Sequence, residues 1–246
     1  AIQLASRVMR ELGGRKASDD TRYRTWNFFG ARTHVWDRAT GDHRLSYNDR
    51  ATGEPVVILS NLAKKEGRAF VGGSEVDDPE RTKQLLDGAY SAWVNDSYWL
   101  LMPYKLKDSG VTLKYLGERA TNEGNDAEVI QLTFAEVGLT PQNKYHVYVG
   151  KESGLVEQWD FFRNASDENP GFQVPWKNWQ RHGDIMLSGD RGERKITDFA
   201  VLDGVPRGVF TSPEPLNLEP YMSKPADEHQ NDNAQQAAQA MKQLEA

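Results

Sequence analysis

The feature that most constrains this chain is a succession of short segments in which apolar and polar residues alternate, separated by turn-forming residues, along most of its length. Alternation with a period of two puts every second side chain on one face of an extended strand, so each segment buries one face only. From residue 22 the pattern sets Arg24, Trp26 and Phe28 on one strand face, and further runs follow at 32–38, 43–49, 56–59 and 68–71. After a helical interruption, strands are predicted at 111–119, 128–137, 144–149, 155–163, 179–187 and 194–202, with a last short one at 209–211. Turn signals separate them, among them Gly124, Gly154, Gly192 and Gly204. About eleven strands in sequence predict a mainly β (α+β) fold, a strongly curled antiparallel sheet forming an incomplete barrel, because a flat open sheet of that size is unfavourable. A curled sheet has a concave face, and what fills it becomes the functional question.

Two helices are expected to pack on or cap that sheet. Ile2, Ala5, Val8, Met9 and Leu12 fall on one face of an N-terminal helix, and Gly13-Gly14 reads as its stop. A second helix is embedded at about 78–94, with Asp78 as N-cap, Pro79 in the first turn and a buried stripe of Leu85, Leu86, Ala89, Tyr90 and Trp93. Residues 37–42 and 49–54 repeat one loop pattern twelve positions apart, each with Gly where a hairpin needs positive φ; this reads as turn chemistry, not a duplicated site. Residues 1–212 form a single half-barrel domain in this reading, and 213–246 an acidic, polar tail with a weak helix edged by Ala237, Met241 and Leu244.

Composition removes several classes of function. The net charge is −6, of which the tail holds −4, and no basic cluster tracks a phosphate backbone, so nucleic acid is not an expected partner. The chain has no cysteine, which removes disulfides, thiolate nucleophiles and cysteine-ligated metals. No apolar run approaches the roughly 18 residues that span a bilayer. Ala1 opens directly onto a helix of mature character, so any signal peptide or lipid-bearing cysteine is expected to have been removed ahead of it.

The segment 93–117 gathers the most bulk. Tyr98, Trp99, Leu100, Leu101, Met102 and Tyr104 are six large residues within seven positions, a run that cannot be solvated along its whole length. Pro103 is expected to end the helix and push Met102 toward extended geometry. The cluster is then either packed core or the apolar wall of a pocket.

The stretch 95–111, Asn95-Asp96-Ser97-Tyr98-Trp99-Leu100-Leu101-Met102-Pro103-Tyr104-Lys105-Leu106-Lys107-Asp108-Ser109-Gly110-Val111, resembles a family of bacterial exported proteins (DUF6503-like) whose fold is like that of the periplasmic lipoprotein carriers LolA and LolB. Similar pieces follow in order at 134–141 with 145–149, at Gly154-Leu155-Val156 with Trp159, and at Pro175-Trp176 with Trp179, so the resemblance covers roughly 80–190. It implies an incomplete antiparallel barrel capped by helices, with an apolar cavity suited to acyl chains, in a protein of the bacterial cell envelope, periplasmic or lipid-anchored at the outer membrane. The carriers' lid arginine has no counterpart, so no lipid-binding residue carries over.

Other chemistry finds less support. His34 and His43 flank the first hairpin and share a sheet face if its register allows, but no third ligand completes a zinc pattern, and solvated or rim histidines explain them equally well. No nucleophile elbow, phosphate loop or dinucleotide fingerprint is present. Asp96 and Asp108 read as caps or turn formers around Pro103. The sequence therefore predicts a non-catalytic envelope protein without cofactor or metal, binding a hydrophobic or amphipathic small molecule or lipid. Candidate cavity residues are Trp26, Phe28, Tyr98, Trp99, Leu101, Met102, Tyr104, Trp159, Trp176 and Trp179. The alternative is an envelope glycan-binding protein or hydrolase, using Trp159, Trp176 and Trp179 as exposed platforms beside paired carboxylates.

Overall fold

The computed structural model describes residues 1–136 and 138–223. Two helices open the chain, α1 (Ile2–Glu11) and α2 (Gly14–Asp20). Gly13 ends α1 as expected, but its φ of +104° redirects the chain into a second helix instead of a strand approach. A Cβ at Gly13 would sit 2.1 Å from the Asp184 carbonyl oxygen, so only glycine lets this corner pack on the far hairpin.

A meander follows: β1 (Tyr23–Phe28), β2 (Arg32–Asp37), β3 (Asp42–Asn48), β4 (Pro55–Asn61), β5 (Glu66–Val71) and the short β6 (Ser74–Glu75). Helix α3 (Pro79–Leu101) runs on into a 3-10 turn, Met102–Lys105. The second half holds β7 (Val111–Ala120), β8 (Asp126–Phe134), β9 (Lys144–Gly150), β10 (Val156–Phe162), β11 (Phe172–Pro175), β12 (Gln180–His182), β13 (Ile185–Leu187), β14 (Asp190–Arg191) and β15 (Arg194–Leu202), then a single helical turn, α4 (Gly208–Thr211).

The fold is mostly β with a few helices, and its strands divide among several antiparallel sheets. Among the described residues none closes into a barrel: an eight-stranded sheet has the order β14-β15-β1-β2-β3-β4-β5-β6, a five-stranded sheet the order β11-β10-β9-β8-β7, and β12-β13 stand as a hairpin. One curled sheet of about eleven strands is thus corrected to two principal sheets. The predicted strand at 179–187 is this hairpin, broken at Gly183 with φ of +56°. The predicted strand at 209–211 is α4, whose Val209 packs against Val35, Ala200 and Leu202; three residues carry no periodicity to separate the two states.

α3 runs on through 95–101, longer than predicted, and Pro103 does not force extension. Met102 keeps helical angles, φ −51° and ψ −41°, and is fully buried. Pro103 lacks the N–H that would bond the Trp99 carbonyl four residues back, and Arg191 Nη2 donates to that oxygen instead at 2.8 Å. Tyr104 then locks the turn, its hydroxyl donating to the Met186 carbonyl at 2.6 Å, lying 3.0 Å from the Leu12 carbonyl and accepting from the Met186 N–H.

The two halves of α3 bury different things. Leu85 and Ala89 of the first half pack on Leu45, Val56, Ile58 and Ala69 of the large sheet. The second half lies in a core shared by both sheets and α1, where Trp99 meets Phe28 at 6.3 Å and Trp159 at 4.9 Å between ring centroids. Register places Trp26 opposite His34, His34 opposite Leu45, and Leu45 opposite Ile58, so this row faces α3 while Thr25, Val35 and Arg44 face away.

Candidate functional site

A cavity of about 470 Å³ lies between the large sheet and the first half of α3. Its floor is Leu45 and Ile58, its roof Leu85, Gly88, Ala89 and Ala92, and its rim Ala31, Arg32, Tyr47, Asn48, Asp49, Arg50 and Gln84. The space exists because the helix presents small residues there. Gly88 costs about 1 kcal/mol relative to alanine in a helix interior, and a Cβ built on it meets nothing within 4 Å. The volume falls in the range of small-molecule pockets, about 300–1,000 Å³. Its floor and roof are apolar, its rim is polar, and Asp49 is the one carboxylate lining it.

Beneath the rim residue Arg32 runs a buried polar chain. Arg32 donates to both oxygens of Asp96 at 2.5 and 2.7 Å, a two-pronged pair in which Asp96 is fully buried and Arg32 partly exposed. Asn95 Nδ2 adds a donor at 2.9 Å. His34 Nε2 lies 2.8 Å from Asp96, His34 Nδ1 lies 2.9 Å from His43 Nε2, and Ser60 Oγ lies 3.4 Å from His43 Nδ1. With Asp96 ionised the hydrogens follow: His34 donates to Asp96, His43 to His34, and the Ser60 hydroxyl to His43. Trp26 stacks flat on His34, 4.6 Å apart and 7° from parallel, and seals the chain from the core side.

The electrostatics hold this chain in one protonation state. Burial would raise the Asp96 carboxyl, but the hydrogen bonds from Arg32 and His34 outweigh it and keep it below the ordinary carboxylate range. Burial holds His34 below the usual imidazole value despite the pull of Asp96, and holds His43 well below it. Both rings are therefore neutral at pH 7 beside one balanced ion pair.

The reading of His34 and His43 as solvated or rim groups is corrected, since both are fully buried. The same holds for Asp96 as a cap: it faces inward from the second half of α3, inside the helix. One signal was present. Asp96 stands three and seven residues beyond Trp93 and Ala89, on the stripe that buries the helix. Asp108 does shape a turn, accepting from the Val111 N–H through its carbonyl.

The ten predicted cavity residues come together elsewhere, in and around the core shared by both sheets, and none lines either cavity. Trp26, Phe28, Trp99, Leu101, Met102, Tyr104, Trp159 and Trp176 are buried; Tyr98 and Trp179 are partly so. Trp159 and Trp176 are each 1% exposed, and Trp179 stacks on Trp176 while donating to the Val156 carbonyl, so the three offer no open platform. Trp176 also carries the buried Arg191 guanidinium 3.4 Å from its centroid.

A larger groove of about 810 Å³ lies on the sheet face turned away from α3, bounded by residues 213–219 and Met222. That crossing segment is held by Arg44, whose buried guanidinium donates to the carbonyls of Val209, Ser212, Pro213 and Glu214. The predicted weak helix of the tail lies outside the described residues.

No protein-family model matches the chain, and no curated protein sequence does. Among solved structures it is similar to a DUF1329 family protein from Desulfovibrio piger ATCC 29098, with a TM-score of 0.44 and 10% identity over 85% of this chain and 96% of that one. It also aligns with the Pseudomonas aeruginosa MucA/MucB complex structure, TM-score 0.26 and 14% identity over 83% of this chain and 67% of that one. A structure of MucB in complex with MucA(peri) gives a TM-score of 0.24 at 14% identity, over 85% and 66%. Likenesses of this size say nothing about ligand or partner.

Proposed function

We propose that this chain is a non-catalytic binding protein of the bacterial cell envelope that holds an apolar or amphipathic ligand between α3 and the large sheet. The observation that carries the reading is the cavity of about 470 Å³ roofed by Gly88, Ala89 and Ala92. Gly88 is exposed in the helix interior with nothing within 4 Å of a Cβ, so the helix gives up propensity where it borders this groove, and an occupant would cover it. The envelope location rests on the resemblance of 95–111 to exported proteins. The aromatic cluster around Trp99 serves in this reading as the abutment that fixes the far half of α3, so that the near half spans the cavity without collapsing onto it; ligand contact at those rings would require them to part.

Native mass spectrometry of the purified protein is expected to show a co-purified amphiphile that dissociates on activation. Ala92→Phe fills the roof and is expected to abolish that species while leaving the melting temperature within a few degrees. Protein that emerges ligand-free and takes up no long-chain alcohol in titration overturns the reading.

A further inference from the structure

We propose that the ligand beside α3 carries an anionic head group that docks on Arg32, and that its binding draws a proton from solvent through Ser60 and His43 onto His34. This rests on the cavity reading above and adds to it the charge of the ligand and the fate of a proton.

Arg32 is the docking group. It lines the cavity, its side chain is 31% exposed, and among the described residues its Nη1 makes no hydrogen bond while Nε and Nη2 hold Asp96. An incoming carboxylate or phosphate finds there the open Nη1 edge of a guanidinium, the group best suited to it, whose face rests over Phe28. At rest Arg32 and Asp96 cancel. A second anion leaves one uncompensated negative charge beside a fully buried carboxylate, which is costly where the dielectric is low.

The nearest base is His34, 2.8 Å from Asp96. A proton on it turns one shared ion pair into two, Arg32 with the head group and His34 with Asp96. The route is laid out atom by atom. The proton enters on His43 Nδ1 from the side of Ser60, which is partly exposed; His43 releases the hydrogen on Nε2 to His34 Nδ1; the Ser60 hydroxyl turns from donor to acceptor. One proton is taken up, no bond between heavy atoms changes, and His34 ends as imidazolium donating to Asp96 and to His43.

The other groups packed on the chain explain why it is unprotonated beforehand. β1 brings Trp26 onto His34 and, farther along, the buried cation Arg24, which lies over Trp36 and donates to the Ser18 carbonyl; β2 brings Arg32, β3 His43 itself and Tyr47, β4 Ser60, and α3 Asp96 with Asn95. Burial pushes Arg24 down to about 10, still charged at pH 7. Burial of both rings, with the charge of Arg32 against His34, disfavours a proton until an anion arrives.

Calorimetric titration of the whole chain at pH 7, in two buffers of different ionisation enthalpy, tests this with dodecanoate, methyl dodecyl phosphate and dodecanol. Both anions are expected to bind about tenfold or more tighter than the alcohol, the scale of a charge-assisted hydrogen bond, with uptake of about one proton per anion and none for dodecanol. The tighter of the two anions identifies a carboxylate or a phosphate head group. His34→Gln keeps a donor to Asp96 and removes the base, so uptake is expected to vanish and the anion preference to shrink. Anions that bind no tighter than dodecanol, or that bind with no buffer dependence, overturn the proposal and leave the cavity reading standing. If none of the three binds, both fall together. The wild-type buffer comparison needs no variant, so a His34→Gln chain that failed to fold would not shield the proposal.

Discussion

Mild acid should loosen this protein well before its carboxylates titrate, and the size of the effect follows from two rings. His34 and His43 are fully buried, and burial holds both below the imidazole value of 6.5 that they regain on unfolding. The unfolded chain therefore binds protons that the folded chain refuses, so stability is fully present above pH 6.5 and falls as pH drops below it. A ring that stays neutral in the fold loses about 1.4 kcal/mol of stability by one pH unit below its unfolded value. His43, the more strongly displaced, gives that amount, and both rings together give up to about 2.7 kcal/mol between pH 7.5 and 5.5. Half-buried His146 and His182 are displaced the same way, again by burial, and add smaller amounts. Against a total of about 5–15 kcal/mol this is a large fraction. Urea denaturation followed by tryptophan fluorescence at pH 7.5, 6.5 and 5.5 measures it directly. The Asp96 carboxyl lies below the ordinary range and contributes nothing in this window. An unfolding free energy that changes by less than about 0.5 kcal/mol from pH 7.5 to 5.5, or that rises on acidification, refutes the neutral buried pair.

Three substitutions probe the rest of the architecture. Asp96→Asn keeps the shape but leaves Arg32 without its counter-charge and should cost about 3 kcal/mol by chemical denaturation, the scale for breaking a buried pair; a loss below about 1 kcal/mol would mean solvent already screens it. Gly88→Ala adds a methyl where nothing lies within 4 Å and should stabilise α3 by about 0.5–1 kcal/mol, visible as a raised melting temperature. Arg44→Met strips the donors from four carbonyls of the crossing segment, so limited proteolysis within residues 213–222 should quicken while the rest of the chain resists; an unchanged cleavage rate refutes the clamp.

Much of the fold was legible because its signals are local. Period-two alternation located the meander from β1 to β5 and the strands β7 to β10, and Asp78 with Pro79 gave the start of α3, where the Asp78 side chain does accept from the Glu80 N–H. The failures share a cause. Pro103 was read by its local preference, but a distant Arg191 and the Tyr104 hydroxyl supply the bonds that let helical geometry continue past Leu101. The division into two sheets depends on β15 returning beside β1, an association invisible to any window of sequence. The polar chain was hidden for the same reason: His34 and Asp96 lie 62 residues apart, and only the register of β2 against α3 turns a rim-like histidine into a buried one. The aromatic residues of 98–104 are too bulky to solvate and fill the core, while the open groove borders Gly88, Ala89 and Ala92, small residues that carry no sequence signal.

The pairing of β1 with β15 also dictates the order in which this molecule can assemble. Tyr23 meets Leu202, and Phe28 meets Ile196, so a central seam of the large sheet joins parts of the chain about 170 residues apart. The meander from β1 to β5 can zip as soon as it exists, whereas one rim of it stays open until nearly the whole described chain is present. Closing so long a loop carries an entropic penalty that contacts repay only at the end, the kind of long-range pairing that slows folding. An unpaired β1 in the meantime is a sticky edge. The chain therefore remains unfinished, and threadable, for most of the time it takes to emerge, and its stability arrives late and all at once.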